Sequence, residues 1–358
     1  MKGAELTRSR KADHVRICLD EDVETGGTGF DCIRFVHRAL PETNMADVKT
    51  GVEVLGRELK LPLMINAMTG GYSEARELNR ELAVAAARHG VGLGLGSMRA
   101  MIEDPALSET YQVRDVAPDI LLLGNIGIPQ LLMEEHGPIV EAMEDVGVDA
   151  IAIHLNALQE ATQPEGEPVF AGALDAIEAF VRESGRPVLA KETGAGISRE
   201  TAIALRERGI QWVDVGGYGG TSFAAVEWHR SREGTGRELS GSLIGWGIPT
   251  AASLVEVLCS TDMKVIASGG IRDGIDVAKS LALGALCAGV ASPILKALRE
   301  GRIDDLLHLY AHQLKSVMFL TGSKDIGELR RSELVLGDWL RQWVEDRGIE
   351  PRSFASRD

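Results

Sequence analysis

His154, Asn156, Gln159 and Glu160 stand within one seven-residue run, His154-Leu155-Asn156-Ala157-Leu158-Gln159-Glu160. An imidazole, two carboxamides and a carboxylate differ in hydrogen-bonding type, which suits ligand recognition better than packing. The run follows Val148-Asp149-Ala150-Ile151-Ala152-Ile153, which reads as a buried strand. Alternate strand residues share a face, so His154 and Asn156 are expected to point the same way, with Gln159 and Glu160 just past the strand end. In a parallel α/β fold that end is where ligands bind. Taken singly, Glu160 could be a solvated loop carboxylate and His154 a hydrogen-bonded core histidine.

Other apolar runs end the same way. Leu61–Ala67 leads into Asn66-Ala67-Met68-Thr69-Gly70-Gly71, where small residues let a flat ring or a phosphate approach the backbone. Gly92-Leu93-Gly94-Leu95-Gly96-Ser97-Met98-Arg99 carries a G-x-G spacing without the full dinucleotide fingerprint, and Arg99 could clamp a phosphate or simply lie on the surface. Asn125 follows Gly124, offering a donor and an acceptor, or a turn. Lys191-Glu192-Thr193-Gly194-Ala195-Gly196 closes another apolar run with a lysine that is costly to bury unpaired. Gly216-Gly217-Tyr218-Gly219-Gly220-Thr221, Ser268-Gly269-Gly270-Ile271-Arg272 and Gly289-Val290-Ala291-Ser292 close the last three. Glycine-rich loops entering helices late in a barrel make a phosphate site from backbone N–H groups and helix dipoles.

The elements that must position these residues have a rhythm. Strand candidates lie at Leu61–Ala67, Val91–Leu95, Ile120–Gly124, Val148–His154, Pro187–Lys191, Trp212–Val215, Lys264–Ala267 and Ala285–Val290. Amphipathic helices are expected between them, at Ser73–His89, Ala171–Glu183 and Asp273–Leu283. Eight strands alternating with helices predict an α/β fold, a (β/α)8 TIM barrel, over residues 61–345. Residues 1–60 are polar, show no long periodic segment and are expected to pack on the barrel as an irregular N-terminal extension that contributes to the substrate site. The charged, glycine-rich stretch 227–247 reads as a lid, a mobile loop or a disordered insertion between strands six and seven. The segment Arg302–Trp343 reads as further helices, and 346–358 as a C-terminal tail.

Bulk properties narrow the function. The net charge of −15 argues against a nucleic-acid partner and an anionic membrane surface, but not against an anionic small molecule, because a site's field is local. Cys18, Cys32, Cys259 and Cys287 show no CxxC spacing and read as free thiols in a reducing cytoplasm. No apolar leader and no run of 18 apolar residues occur in the sequence. A cytoplasmic protein is expected.

Polar or glycine-rich residues thus end all eight candidate strands, as a phosphorylated planar cofactor, most simply FMN, would require. At this point the chain resembles the type 2 isopentenyl-diphosphate isomerases, flavoenzymes on this barrel. The matching stretches are Arg10-Lys11-Ala12-Asp13-His14, Met64–Gly71, Gly96-Ser97, Asn125, the His154–Glu160 run, Lys191-Glu192, Gly219-Gly220-Thr221, Trp246-Gly247-Ile248, Ser268-Gly269-Gly270 and Leu320-Thr321-Gly322. The His-x-Asn-x-x-Gln-Glu run and the Arg-Lys pair are specific to the family, whereas the glycine loops are shared with other FMN barrels. The resemblance implies FMN contacts from Ala67, Met68, Thr69, Ser97, Asn125, Lys191, Thr221, Gly269, Gly270, Ala291 and Ser292. It implies that Arg10, Lys11, Arg99, His154, Asn156 and Gln159 bind substrate, that Gln159 and His154 are catalytic, and that Glu160 binds Mg2+. Met98 departs from the Gln that many members carry.

The implied reaction converts isopentenyl diphosphate to dimethylallyl diphosphate in isoprenoid biosynthesis, with reduced FMN shuttling the proton and no net redox change. NADPH is the implied reductant, and a homotetramer or homo-octamer the implied assembly. Rival readings remain. A 2-hydroxy-acid oxidase of the same barrel should carry a histidine after strand seven, where Ser268-Gly269-Gly270 has none. A nucleotide dehydrogenase should place a nucleophilic cysteine in a strand-end loop, whereas Cys259 and Cys287 lie in apolar segments. A catalytically silent flavin or prenyl-phosphate binder is opposed by Gln159 and Glu160.

Overall fold

Eight parallel strands close into a barrel: β1 (Leu63–Ile65), β2 (Gly92–Gly94), β3 (Leu122–Gly127), β4 (Ala150–His154), β5 (Val188–Lys191), β6 (Trp212–Asp214), β7 (Lys264–Ser268) and β8 (Cys287–Val290). The computed structural model describes residues 2–357 except Glu134 and Arg232, with side chains from Lys11 onward. All eight strands fall on the sequence candidates, and β8 pairs with β1 through Ala288 and Leu63 to complete the ring.

Two layers fill the barrel, and the period of two along each strand sets both. Met64, Leu123, Ala152, Leu189, Trp212, Ile266 and Cys287 form one apolar cluster inside the lower barrel. A hairpin, Val52–Val54 with Arg57–Leu59, seals that end by adding Val54, Leu55 and Leu59 to the cluster. Two residues further along the same strands stand Asn66, Asn125, His154, Lys191, Asp214, Ser268 and Gly289. An apolar floor thus carries a polar upper layer, the arrangement expected where the C-terminal rim of a barrel binds ligands.

The helices are amphipathic where the spacing predicts them. Ala75–His89 buries Leu82, Ala83, Ala85 and Ala86, stops at Gly90 in the left-handed conformation, and starts two residues later than expected. Ala173–Glu183 buries Ile177 and Phe180, and Gly274–Leu283 is capped by Asp273, whose side chain accepts from the N–H groups of Ile275 and Asp276.

Three regions differ from the sequence reading. Residues Lys2–Asp20 form a nineteen-residue helix, not an irregular stretch. Among its described side chains, those of residues 11–20, only Ile17 is buried, beside Val23, Ala225 and Val226. The 227–247 stretch is neither disordered nor a simple loop among the described residues: it completes the helix Phe223–Arg230 and adds the helix Thr235–Ser242. Arg230 is paired to Glu227 and Glu165, and the Arg237 guanidinium lies 3.8 Å over the Trp228 ring. The late segment carries the helices Ile303–Leu320, Ile326–Leu329 and Asp338–Asp346, and its strand Leu334–Leu336 pairs antiparallel with Ile33–Phe35 and ties the extension to the C-terminal part. Beyond it, Phe354 is buried and Arg357 donates to the Arg330 carbonyl, so the last residues pack down. No helix among the described residues is long and apolar enough to cross a membrane.

Candidate active site

The polar upper layer opens into a cavity of about 280 Å³ at the C-terminal ends of the strands, at the lower edge of the ~300–1,000 Å³ usual for small-molecule sites. The strand register sets its floor. His154 is aligned with Gly127 on one side and Lys191 on the other, and Lys191 with Asp214. Gly127 makes room for the imidazole, since a Cβ there would lie 2.6 Å from His154 Nε2.

One wall is built of side chains. The chain turns into the short helix Ala157–Thr162 directly after β4, with Asn156 at its N-terminal boundary. Asn156, Gln159, Glu160 and Gln163 then share a face by helical spacing, not by strand alternation. Asn156 Nδ2 donates to Gln159 Oε1 at 3.2 Å and to Glu160 Oε1 at 2.8 Å. The other Glu160 oxygen accepts from Gln163 Nε2 and from the Glu167 backbone N–H, both at 2.8 Å. The Asn156 and Gln163 side-chain oxygens are buried without a partner. Glu160 is the one carboxylate of this face, and the described residues hold no cluster of three or more His, Cys, Asp or Glu fit for a metal.

His154 Nδ1 lies 2.6 Å from Asn125 Oδ1, a contact that places the ring proton on Nδ1 and the Nε2 lone pair opposite. Burial, reinforced by Lys11, Lys191 and Arg99, lowers its pKa to about 4. The imidazole is neutral at pH 7 as a result, surrounded by cations that an anionic ligand would balance.

Those cations come from different elements. Lys11, on the N-terminal helix, donates to the carbonyls of Gly70 at 2.9 Å and Ser97 at 2.8 Å, and to the Tyr111 hydroxyl. His14 on the same helix bonds the fully buried Glu227 at 2.8 Å. Burial alone would raise Glu227, but His14 and Arg230 outweigh it and hold the carboxyl below its usual range. Arg99 is met by Glu103 at 2.6 Å and Glu167 at 3.2 Å.

The opposite wall is backbone. A Cβ on Gly269 would lie 2.1 Å from the Gly217 carbonyl oxygen, and one on Gly270 2.4 Å from that of Gly219. The loops after β6 and β7 interlock, so these glycines are required for packing as well as for any ligand. Beside them begins the helix Ser292–Arg299. Here the Glu24 carboxylate accepts from Ser292 Oγ and Arg272 Nη2, each at 2.7 Å, with Lys296 3.6 Å away. Burial pushes Glu24 up, but these three partners prevail and hold it ionised below the ordinary range. An anion is therefore already seated in the donor set expected for a phosphate, and the residues fit the phosphate end of FMN.

Of the expected contacts, Lys11, Ala67, Met68, Ser97, Arg99, Asn125, His154, Asn156, Gln159, Glu160, Lys191, Thr221, Gly269, Gly270, Ala291 and Ser292 line this one cavity. The Arg10 side chain lies outside the described residues. Thr69 is turned away: it is buried and its hydroxyl donates to Tyr72. Met98 is sealed in the core against Gly124. Sequence reasoning gave no role to Asn66, Asp214, Ser268, Gln163, Glu24 or Glu192. The first three were legible as the polar residue two places beyond an inward apolar one, and Gln163 as the fourth member of an Asn156 helical face. Glu192 adds a second carboxyl to the cavity, which the run around Glu160 alone did not suggest. Burial raises it to about 7 even though the N–H groups of Thr193, Gly194 and Ala195 bond one of its oxygens. Cys18 also lines the cavity, but burial raises its thiol to about 12, so it is no nucleophile.

Comparison with known proteins bears on which barrel enzyme this is. The family FMN-dependent dehydrogenase matches residues 143–336. The isopentenyl-diphosphate delta-isomerase of Pyrococcus horikoshii is 44% identical over 96% of both chains. That of Methanoregula boonei is 46% identical, covering 95% of this chain and 97% of its own. This chain belongs to the type 2 isopentenyl-diphosphate isomerase family. The family's third example here, from Methanothermobacter thermautotrophicus, is 44% identical over 98% of this chain and 100% of its own. A mandelate oxidase with (S)-4-hydroxymandelic acid superimposes with a TM-score of 0.62 at 21% identity, covering 90% of this chain and 95% of its own, which shows the shared barrel alone. In this chain the helical face after β4 supplies what the glycine wall does not, a set of chemically distinct side chains above the floor.

Proposed function

We propose that this chain converts isopentenyl diphosphate to dimethylallyl diphosphate, using reduced FMN and Mg2+. The observation that carries the reading is one cavity with an anion-ready glycine wall on one side and the Asn156–Gln159–Glu160–Gln163 face on the other.

In this reading Thr221, Gly269, Gly270, Ala291 and Ser292 hold the FMN phosphate, while Ala67, Met68, Ser97, Asn125 and Lys191 hold the ring. Bound reduced FMN supplies the acid–base chemistry at the alkene carbons without net oxidation. The remaining work falls to the chain. Lys11, Arg99 and Arg10 hold the diphosphate. Arg99 must exchange Glu167 for a phosphate oxygen to do so. A diphosphate arriving beside His154 offsets the three cations, raises its proton affinity and turns Nε2 into a donor to phosphate. Gln159, fixed by Asn156, lies over the reacting carbons and orients the alkene. Glu160 would hold Mg2+, which would supply positive charge beside the diphosphate.

The test is an incubation of purified protein with FMN, Mg2+, isopentenyl diphosphate and either NADPH or dithionite. The dimethylallyl isomer is expected only where the flavin is reduced. Equal rates with oxidised flavin sink the mechanism, and bound FMN without product identifies a silent binder. Size-exclusion chromatography with light scattering checks the proposed homotetramer or homo-octamer.

A further inference from the structure

Asp214 ends β6 and takes no part in the steps above. It is 2% exposed and does not line the cavity. Its carboxylate nevertheless holds four groups from residues that do. Oδ2 accepts from Lys191 Nζ at 2.8 Å and from Asn66 Nδ2 at 3.1 Å. Oδ1 accepts from Ser268 Oγ and from the Gly216 N–H at 3.2 Å. Three strands, β5, β6 and β7, and the end of β1 are thereby joined beneath the cavity floor.

The partner that matters most is Lys191. Its ammonium is buried and bonds, besides Asp214, only neutral acceptors in this network: the Glu192 carbonyl at 3.2 Å and Ser268 Oγ at 3.3 Å. An unpaired ammonium there would be costly. It would also act on any redox-active ring above it, because reduction of a flavin adds electron density that a bare cation attracts.

We propose that Asp214 is a positioning residue that sets the charge balance of the flavin floor: it fixes Lys191 toward the cavity and cancels its charge, so that the pair, not the lysine, sets how strongly bound FMN favours its reduced form. The inference rests on FMN occupying this cavity.

The experiment uses FMN-loaded full-length protein in four forms: wild type, Asp214→Asn, Lys191→Met and the double variant. The two-electron midpoint potential of bound FMN is read against a redox dye at saturating FMN. Asp214→Asn shifts the balance toward reduced FMN by about tenfold, a potential ~30 mV more positive. Lys191→Met shifts it the opposite way, and the double variant returns near wild type. Either single variant suffices if the other fails to fold. Shifts of the same sign in both single variants, or less than about twofold in each, overturn the inference and leave Asp214 a packing residue. Wild-type protein that binds no FMN overturns the reading of the cavity and the inference together.

Discussion

The two walls of the cavity are made of different material. After β4 the chain spends four side chains, Asn156, Gln159, Glu160 and Gln163, on one helical face, each bonded to another. Across the cavity the loops after β6 and β7 spend almost none. Gly217, Gly219, Gly269 and Gly270 press backbone on backbone, and the contacts on offer are N–H groups and a helix terminus. A side-chain wall can be altered one function at a time. In a backbone wall, packing and binding are the same feature, so any side chain added there disturbs both.

Breaking the backbone wall should have the largest effect. Gly270 has φ +74° and no space for a Cβ, so Gly270→Ala meets both left-handed strain and a clash with Gly219. A loss of about 3 kcal/mol in urea unfolding, together with loss of flavin, is expected. Near-normal stability would show that the loops can part, and the contrast between the walls would fail.

Breaking the other wall should leave the fold intact. Gln159→Ala is expected to lower turnover by about 10²-fold while FMN fluorescence quenching stays at the wild-type level. Asn156→Ala is a sharper cut, because it releases both Gln159 and Glu160. The Mg2+ concentration for half-maximal rate should rise by roughly tenfold, the usual consequence of loosening a ligand's support. An unchanged Mg2+ requirement would separate Glu160 from the metal.

Two smaller effects refine the comparison. Two shifted groups that line the cavity, His154 and Glu192, pull stability in opposite directions with pH. His154 titrates near 6.5 when unfolded and about 4 when folded, so its contribution is present above pH 6.5 and is lost as pH falls toward 4. Glu192 moves from 4.5 to about 7, so its contribution is present below pH 4.5 and is lost as pH rises through 7. Glu192→Gln removes the second slope and should gain roughly 3 kcal/mol over wild type by pH 7.5 but little at pH 4.5. A pH-independent difference would show that Glu192 is ionised throughout. Last, Glu24→Gln removes the carboxylate that Ser292 and Arg272 already hold. FMN should bind a few-fold tighter and riboflavin unchanged, since only FMN brings a phosphate to take its place. Weaker FMN binding would mean that Glu24 organises those donors instead.

The barrel itself was legible because eight buried strands leave continuous apolar runs, each stopped by polar or glycine residues. The extension was not. Of residues 11–20 in the helix Lys2–Asp20 only Ile17 is buried, and the helix is held by contacts such as Lys11 to Ser97 and His14 to Glu227 that join distant parts of the chain. The 227–247 stretch misled for a related reason: its charge suggested solvent, but Arg230 is neutralised by Glu165, sixty-five residues away.

By itself the sequence determined which residues gather at the rim, because strand ends and the period of two are local properties. It also determined the family, because the His154–Glu160 run is local too. What only the tertiary structure decided is how those residues are employed. Asn156 became the brace of Gln159 and Glu160 when the chain turned helical after β4. The Thr69 hydroxyl came to donate to Tyr72. Asp214 came to lie under Lys191 through strand register. Each of these depends on which group ends within hydrogen-bond reach of another, and closure of the barrel sets those distances between residues far apart in the chain.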